Sequence, residues 1–160
     1  MNRKQFIGRS IFGVAALSYT PQVFAQQEKP VPLKADLILN FVRNGHFDLE
    51  VVKQMLEEVP SLLNASWDWG GGDFETALGG AAHMGRYDIA TFLISKGARM
   101  DIFAAAMLGE ISIVKAILKA HPPALQSKGP HGISLFAHAE KGGKKGKEVV
   151  NYLNTLGIKE

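Results

Sequence analysis

The chain has 160 residues, 46% hydrophobic and 21% charged, a balance that supports one packed domain and excludes a disordered chain. It contains no cysteine, which excludes disulfides, thiolate metal sites and nucleophilic cysteine chemistry. The formal net charge of +3 resides in the first residues, so the folded part lacks the general phosphate attraction that nucleic-acid binders need.

Residues 1–25 read as a secretory signal peptide: Arg3, Lys4 and Arg9 precede an apolar run over 11–19, and Val23 and Ala25 frame a cut after Ala25. The run is too short for a membrane-spanning helix, which needs about 20 residues. The start is also similar to a twin-arginine export signal, with Lys4 in place of the second arginine. Removing this segment leaves fifteen basic against fifteen acidic residues. The expected product is a near-neutral periplasmic or secreted protein with no membrane attachment. Residues 26–34, QQEKPVPLK, form a polar linker to a domain over 35–160.

From residue 35 a two-helix grammar recurs: a small-residue helix, a glycine turn, then an amphipathic helix. Gly45, Gly85, Gly109 and Gly143 mark the turns. Each following segment carries one apolar stripe at i, i+3, i+4: Val52, Met55 and Leu56; Ile89, Phe92 and Leu93; Ile113, Ala116 and Ile117; Val149, Tyr152 and Leu153. Ala81, Ala82, Ala104, Ala105 and Ala106 lie in first helices, where small side chains let helix axes approach. The turn glycines are expected to adopt the left-handed conformation that ends a helix.

The segment TALGGAAHMGRYDIATFLISKGARMD, residues 76–101, resembles the ankyrin repeat. Thr76 stands at the family's helix-opening threonine, Ala81 and Ala82 at its alanine pair, Gly85 at its turn glycine, and Gly97 with Ala98 at its Gly-Ala. Ala77 and Gly79 stand where the family has Pro and His. The resemblance implies an all-α solenoid of about four helix-turn-helix repeats, with atypical end units because only their inner faces are covered. The glycine anchors are 40, 24 and 34 residues apart against a family period of about 33. This places an insertion in NASWDWGGGDFE and a deletion at GARMD. It further implies a concave recognition surface made by the finger loops and the residues before each turn glycine: Glu75 in the finger, Arg43, Asn44, His83, Met84, Met107 and Leu108.

The inserted finger alternates Trp67, Trp69 and Phe74 with Asp68, Asp73 and Glu75. Two readings stay open: interface anchors on a scaffolded loop, or tryptophans folded back over the alanine-rich helices. Histidines 131 and 138 are seven positions apart, about 10.5 Å on a helix, too far to share one zinc ion. Ser134 and His138 have nucleophile–base spacing but no third orienting group, so Ser134 reads as a helix cap. GGGDFETALGG lacks the Lys-Ser/Thr pair of a phosphate loop, and KGGKKGK reads as a solvated basic loop.

The expectation is therefore a monomeric exported module that binds another protein, with no metal, cofactor or catalytic residue and no affinity for nucleic acid. The contact residues would be Trp67, Asp68, Trp69, Asp73, Phe74, Glu75, His83, Met84, Met107 and Leu108. The alternative is a small-ligand binder or hydrolase with a pocket under the 66–75 loop, on which Asp73, Glu75 and His83 converge. A third is a structural subunit of an envelope complex.

Overall fold

A computed structural model describes residues 31–158; the candidate export signal and most of the linker lie outside the described residues. Four helix pairs follow one another: α1 Ala35–Asn44 with α2 Leu49–Glu58, α3 Ala77–Met84 with α4 Tyr87–Ser95, α5 Ile102–Leu108 with α6 Ile111–Ala120, and α7 Leu135–Lys141 with α8 Lys147–Thr155. The first helices pack side by side in the order α1, α3, α5, α7, and each also packs on its own second helix. A short antiparallel hairpin, β1 Ser66–Asp68 and β2 Phe74–Thr76, stands between the first two pairs. Among the described residues no helix is long and apolar enough to cross a membrane.

Local sequence explains where these helices begin. Asp48, Thr76, Asp101 and Ser134 each sit in extended backbone and accept a hydrogen bond from the backbone N–H three residues on. Each satisfies one of the donors a helix start leaves open. The Ser134 hydroxyl is thereby engaged with the Ala137 N–H at 3.1 Å, which is a cap and not a nucleophile paired with His138.

Three of the turn glycines take the expected left-handed conformation: Gly85 and Gly109 end α3 and α5 at φ 69° and 80°, and Gly143 follows the α7 cap residue Gly142 at φ 53°. Gly45 does not. Its φ is −52°, and what it needs is space, since a Cβ there would lie 2.6 Å from the Ala77 Cα and carbonyl oxygen.

The inner row is built close by its small residues: Ala81, Ala82, Ala104, Ala105, Ala106 and Ala139 are fully buried. The second helices close over them, with Val52, Ile89, Leu93, Val149 and Leu153 of the expected stripes inaccessible; α6 instead turns Val114 and Leu118 inward and leaves Ile113 and Ala116, expected in its stripe, exposed. Burial of each such side chain contributes about 1.5–3 kcal/mol. Met107 and Leu108, expected on an exposed strip, are core residues instead. Both belong to the apolar cluster built from the first two helix pairs, and of their counterparts in α3 His83 is buried as well while Met84 is half exposed.

The length irregularities fall as read. Residues 59–76 carry the finger hairpin, whereas the third pair has none and the chain runs from the Gly97 turn directly to the Asp101 cap. A Lys128–Ser134 bridge and a 3-10 turn, Pro130–Gly132, precede α7. His131 in that turn has φ 58°, the one non-glycine residue at positive φ among those described.

Gly85→Val would force a β-branched residue into the left-handed region and set its Cβ 2.7 Å from the Lys141 carbonyl oxygen. The expected loss is about 3 kcal/mol, roughly 10 °C in thermal midpoint. Gly71→Ala, also at positive φ but with no atom within 4 Å, should lose only about 1 kcal/mol. Thermal melts of both variants test the ranking.

Candidate metal centre

Strand parity turns Glu75 inward, opposite Trp67 in the hairpin, and the side chain is 1% exposed. It lies along α3 above Gly79, whose added Cβ would sit 3.3 Å from the Glu75 Cγ. His83, in the last turn of α3, reaches back so that its Nε2 is 2.9 Å from Glu75 Oε1. From the first pair, His46 follows the end of α1 and lays its ring over Gly80, where a Cβ would meet ring atoms at 2.7 Å. Its Nε2 is 3.2 Å from Glu75 Oε2 and 3.1 Å from His83 Nε2. His131 completes the group, with Nε2 3.5 Å from Glu75 Oε2.

Four ligand-type atoms, three imidazole nitrogens and one carboxylate oxygen, thus lie within 4.8 Å of one another. Zinc bonds of 2.0–2.1 Å in a tetrahedron put ligand atoms about 3.3 Å apart; the close contacts, 3.1 Å between His46 and His83, 3.2 and 3.5 Å from His46 and His131 to Glu75 Oε2 and 2.9 Å from His83 to Glu75 Oε1, lie near that value, and the set, within 4.8 Å overall, would contract around an ion.

The protons point the same way. The Nδ1–H of His46 donates to the Val42 and Arg43 carbonyl oxygens, both at 3.1 Å, and these groups are acceptors only. The Nδ1–H of His131 donates to Asp73 Oδ2 at 2.9 Å, while the His131 backbone N–H donates to Asp73 Oδ1. In the neutral form of either ring Nε2 is a bare lone pair facing the Glu75 carboxylate, and in the protonated form it carries the proton that it donates there. Lone pairs so gathered repel unless a cation, a proton or a metal ion, lies among them. The Trp69 indole N–H donates to Glu75 Oε2 at 2.7 Å and orients the carboxylate from outside. Outer partners of this kind fix the tautomer and direction of metal ligands.

No family model, curated protein or solved structure matches this chain.

Electrostatics reflect the same crowding. Burial opposes ionisation of Glu75, yet hydrogen bonds from His46, His83 and Trp69 outweigh it and hold the carboxyl down at about 2. Burial likewise opposes a charge on His46, but the Glu75 carboxylate and the two carbonyls raise its pKa above the ordinary histidine value. The buried imidazole of His138 shifts the other way, lowered chiefly by burial.

The finger residues take different places. Asp68 accepts from the Gly70 and Gly72 N–H groups and shapes the turn, and Asp73 is spent on His131. Trp67 is half-buried, while Trp69 and Phe74 remain exposed at 37% and 63%. Glu75 and His83, expected as partner contacts, are buried and turned into the cluster. They are interior groups and not partner contacts. Of the residues expected under the 66–75 loop, Glu75 and His83 do meet, and Asp73 joins them through His131.

Sequence reasoning missed His46 and His131 as members. Testing His131 against His138, its neighbour in sequence, set aside the chemistry on the wrong pair. The available signal was the glycine pair itself, Gly79 and Gly80, mid-helix where each costs up to about 1 kcal/mol relative to alanine.

Gly80→Ala sets helix preference against the site. Alanine favours the helix by up to about 1 kcal/mol, but its Cβ pushes the His46 ring off the buried Glu75 carboxylate, so the thermal midpoint should not rise. The expected readout is a cobalt(II) absorption spectrum in the visible that is lost or reshaped in the variant, beside an unchanged far-ultraviolet circular dichroism spectrum.

Proposed function

We propose that this chain is an exported, ankyrin-like stack of helix pairs that binds one divalent transition-metal ion between His46, Glu75, His83 and His131. Convergence of these four side chains from three of the four helix pairs carries the reading. Three imidazoles and a carboxylate favour zinc among the common ions, since calcium and magnesium prefer all-oxygen shells. Four protein ligands make a closed shell, the arrangement of structural and holding sites, not of hydrolytic ones, which keep a position for water. The small-residue inner row, the turn glycines and the finger hairpin support the ankyrin-like part, and the leader-like start supports export.

A second reading, binding of another protein, is favoured by the exposure of Trp69, Phe74 and Met84. Trp69 belongs to both readings, because its indole N–H is held by Glu75. Binding of a partner would then use Phe74 and Met84 as free apolar contacts.

Titration calorimetry with zinc should show one ion per chain, and zinc at 100 times its dissociation constant should stabilise the fold by about 2.7 kcal/mol, raising the thermal midpoint by roughly 10 °C. Absence of any shift in the wild-type protein would overturn the metal reading. Replacing His46, Glu75 or His83 by alanine should abolish the shift.

Zinc must also displace the proton on His46, whose pKa is raised. Apparent affinity should therefore fall as the pH is lowered from about 7.5 to 5.5, roughly tenfold per unit for each proton displaced. Chelator competition at three pH values measures the slope, and a flat profile would exclude imidazole ligation.

A further inference from the structure

Three of the four grouped side chains have an outer hydrogen-bond partner: His46 has the carbonyls of α1, His131 has Asp73, and Glu75 has Trp69. His83 is the exception. Its Nε2 faces Glu75, and its Nδ1 has no hydrogen-bond partner within the described part of the protein. Close by lies another incomplete group. His138 is fully buried in α7, its Nδ1–H donates to the Ser134 carbonyl oxygen at 2.8 Å, and its Nε2 is the one buried side-chain nitrogen or oxygen among the described residues without a partner.

The two rings approach edge to face, with centroids 6.4 Å apart and planes at 86°. Phe103 stacks near His138 with centroids 4.9 Å apart, and Gly129 leaves it room, since a Cβ there would come within 3.0 Å of His138 Cε1. His138 is thus placed tightly on the α7 side of His83 with an acceptor to spare. The two nitrogens are not in direct hydrogen-bond contact, so a link between the rings would have to run through one bridging water.

We propose that His138 is the outer-shell positioning residue of the metal centre, accepting through one water the Nδ1–H of His83 and so holding the His83 Nε2 lone pair on the ion. The inference rests on the metal reading above. A metal-bound histidine nearly always gives its second ring N–H to an acceptor, and here the donor that lacks one and the acceptor that lacks a donor are neighbours. With the Nδ1–H of His138 given to Ser134, the second nitrogen of its neutral ring, Nε2, is a lone pair that accepts and has no other partner. Ser134 fixes this tautomer by taking the other proton, which gives the cap residue of α7 a second task.

The experiment compares zinc affinity of the wild-type protein, His138→Leu, His138→Gln and His83→Ala by competition with a chromophoric chelator, each beside its zinc-free thermal midpoint. His138→Leu should weaken zinc binding about 10- to 100-fold without lowering the zinc-free midpoint, since it removes an unpartnered polar atom. His138→Gln keeps an acceptor and should bring affinity back to within about threefold of wild type. Wild-type affinity in His138→Leu with binding abolished in His83→Ala would overturn the role of His138 and leave the metal centre standing. A wild-type protein that binds no zinc would overturn both. If His138→Leu does not fold, imidazole nitrogen-15 spectra of the wild type decide: zinc should shift the His138 Nε2 resonance along with that of His83, and an unmoved His138 signal overturns the inference.

Discussion

A carboxylate taken out of water is the constraint around which this molecule is arranged. Glu75 is ionised and almost wholly inaccessible, and an isolated charge in such a place is far too costly for a fold whose net stability is only about 5–15 kcal/mol. Compensation comes from every side: His46 from the first helix pair, His83 from the second, His131 from the segment before the fourth, and the Trp69 indole from the finger. The turn after α1, the β-hairpin and the loop before α7 are thereby held to one point. None of them has a comparable apolar anchor of its own.

The same constraint accounts for the composition of α3. A helix reading ALGGAAHM has poor intrinsic propensity, and two adjacent glycines in its middle look like a fault. They are the floor of the site. Gly79 makes way for the Glu75 side chain and Gly80 for the His46 ring, so the charged group can lie along the helix where any larger residue would hold it off. The alanines beside them serve a different purpose, close approach of α1, α3 and α5. Small residues in one segment thus answer two demands.

Much of the scaffold could be read from the chain. Apolar residues at i, i+3, i+4 identify a helix and its buried face irrespective of what lies opposite, so three of the second helices were legible, as were the Ser134 cap, the finger insertion and the shortened third unit; in α6 the run ISIVKAIL offers two overlapping stripes, and the buried one is that of Val114 and Leu118. Met107 and Leu108 were misplaced because transfer of a surface position between repeats assumes an equal environment in each, whereas both side chains join the apolar cluster of the first two pairs and only Met84 stays open. The convergence of His46 with His131 was not legible. Periodicity reports which side of a helix is buried; it carries no information on which polar side chains from separate turns meet, and these two lie far apart in the chain. The deletion at GARMD was visible, but not its effect, which is to remove the finger that would otherwise stand between Asp73 and the turn at His131.

That gap has a mechanical consequence. Units that touch only their neighbours open from the ends, each terminal pair peeling away independently of the other. In this stack Asp73 already grips the His131 turn across the third unit, and an ion held at the centre would tie the first, second and fourth pairs into one loop. Fraying at the amino-terminal side and at the carboxy-terminal side then becomes a single event that must release the same knot.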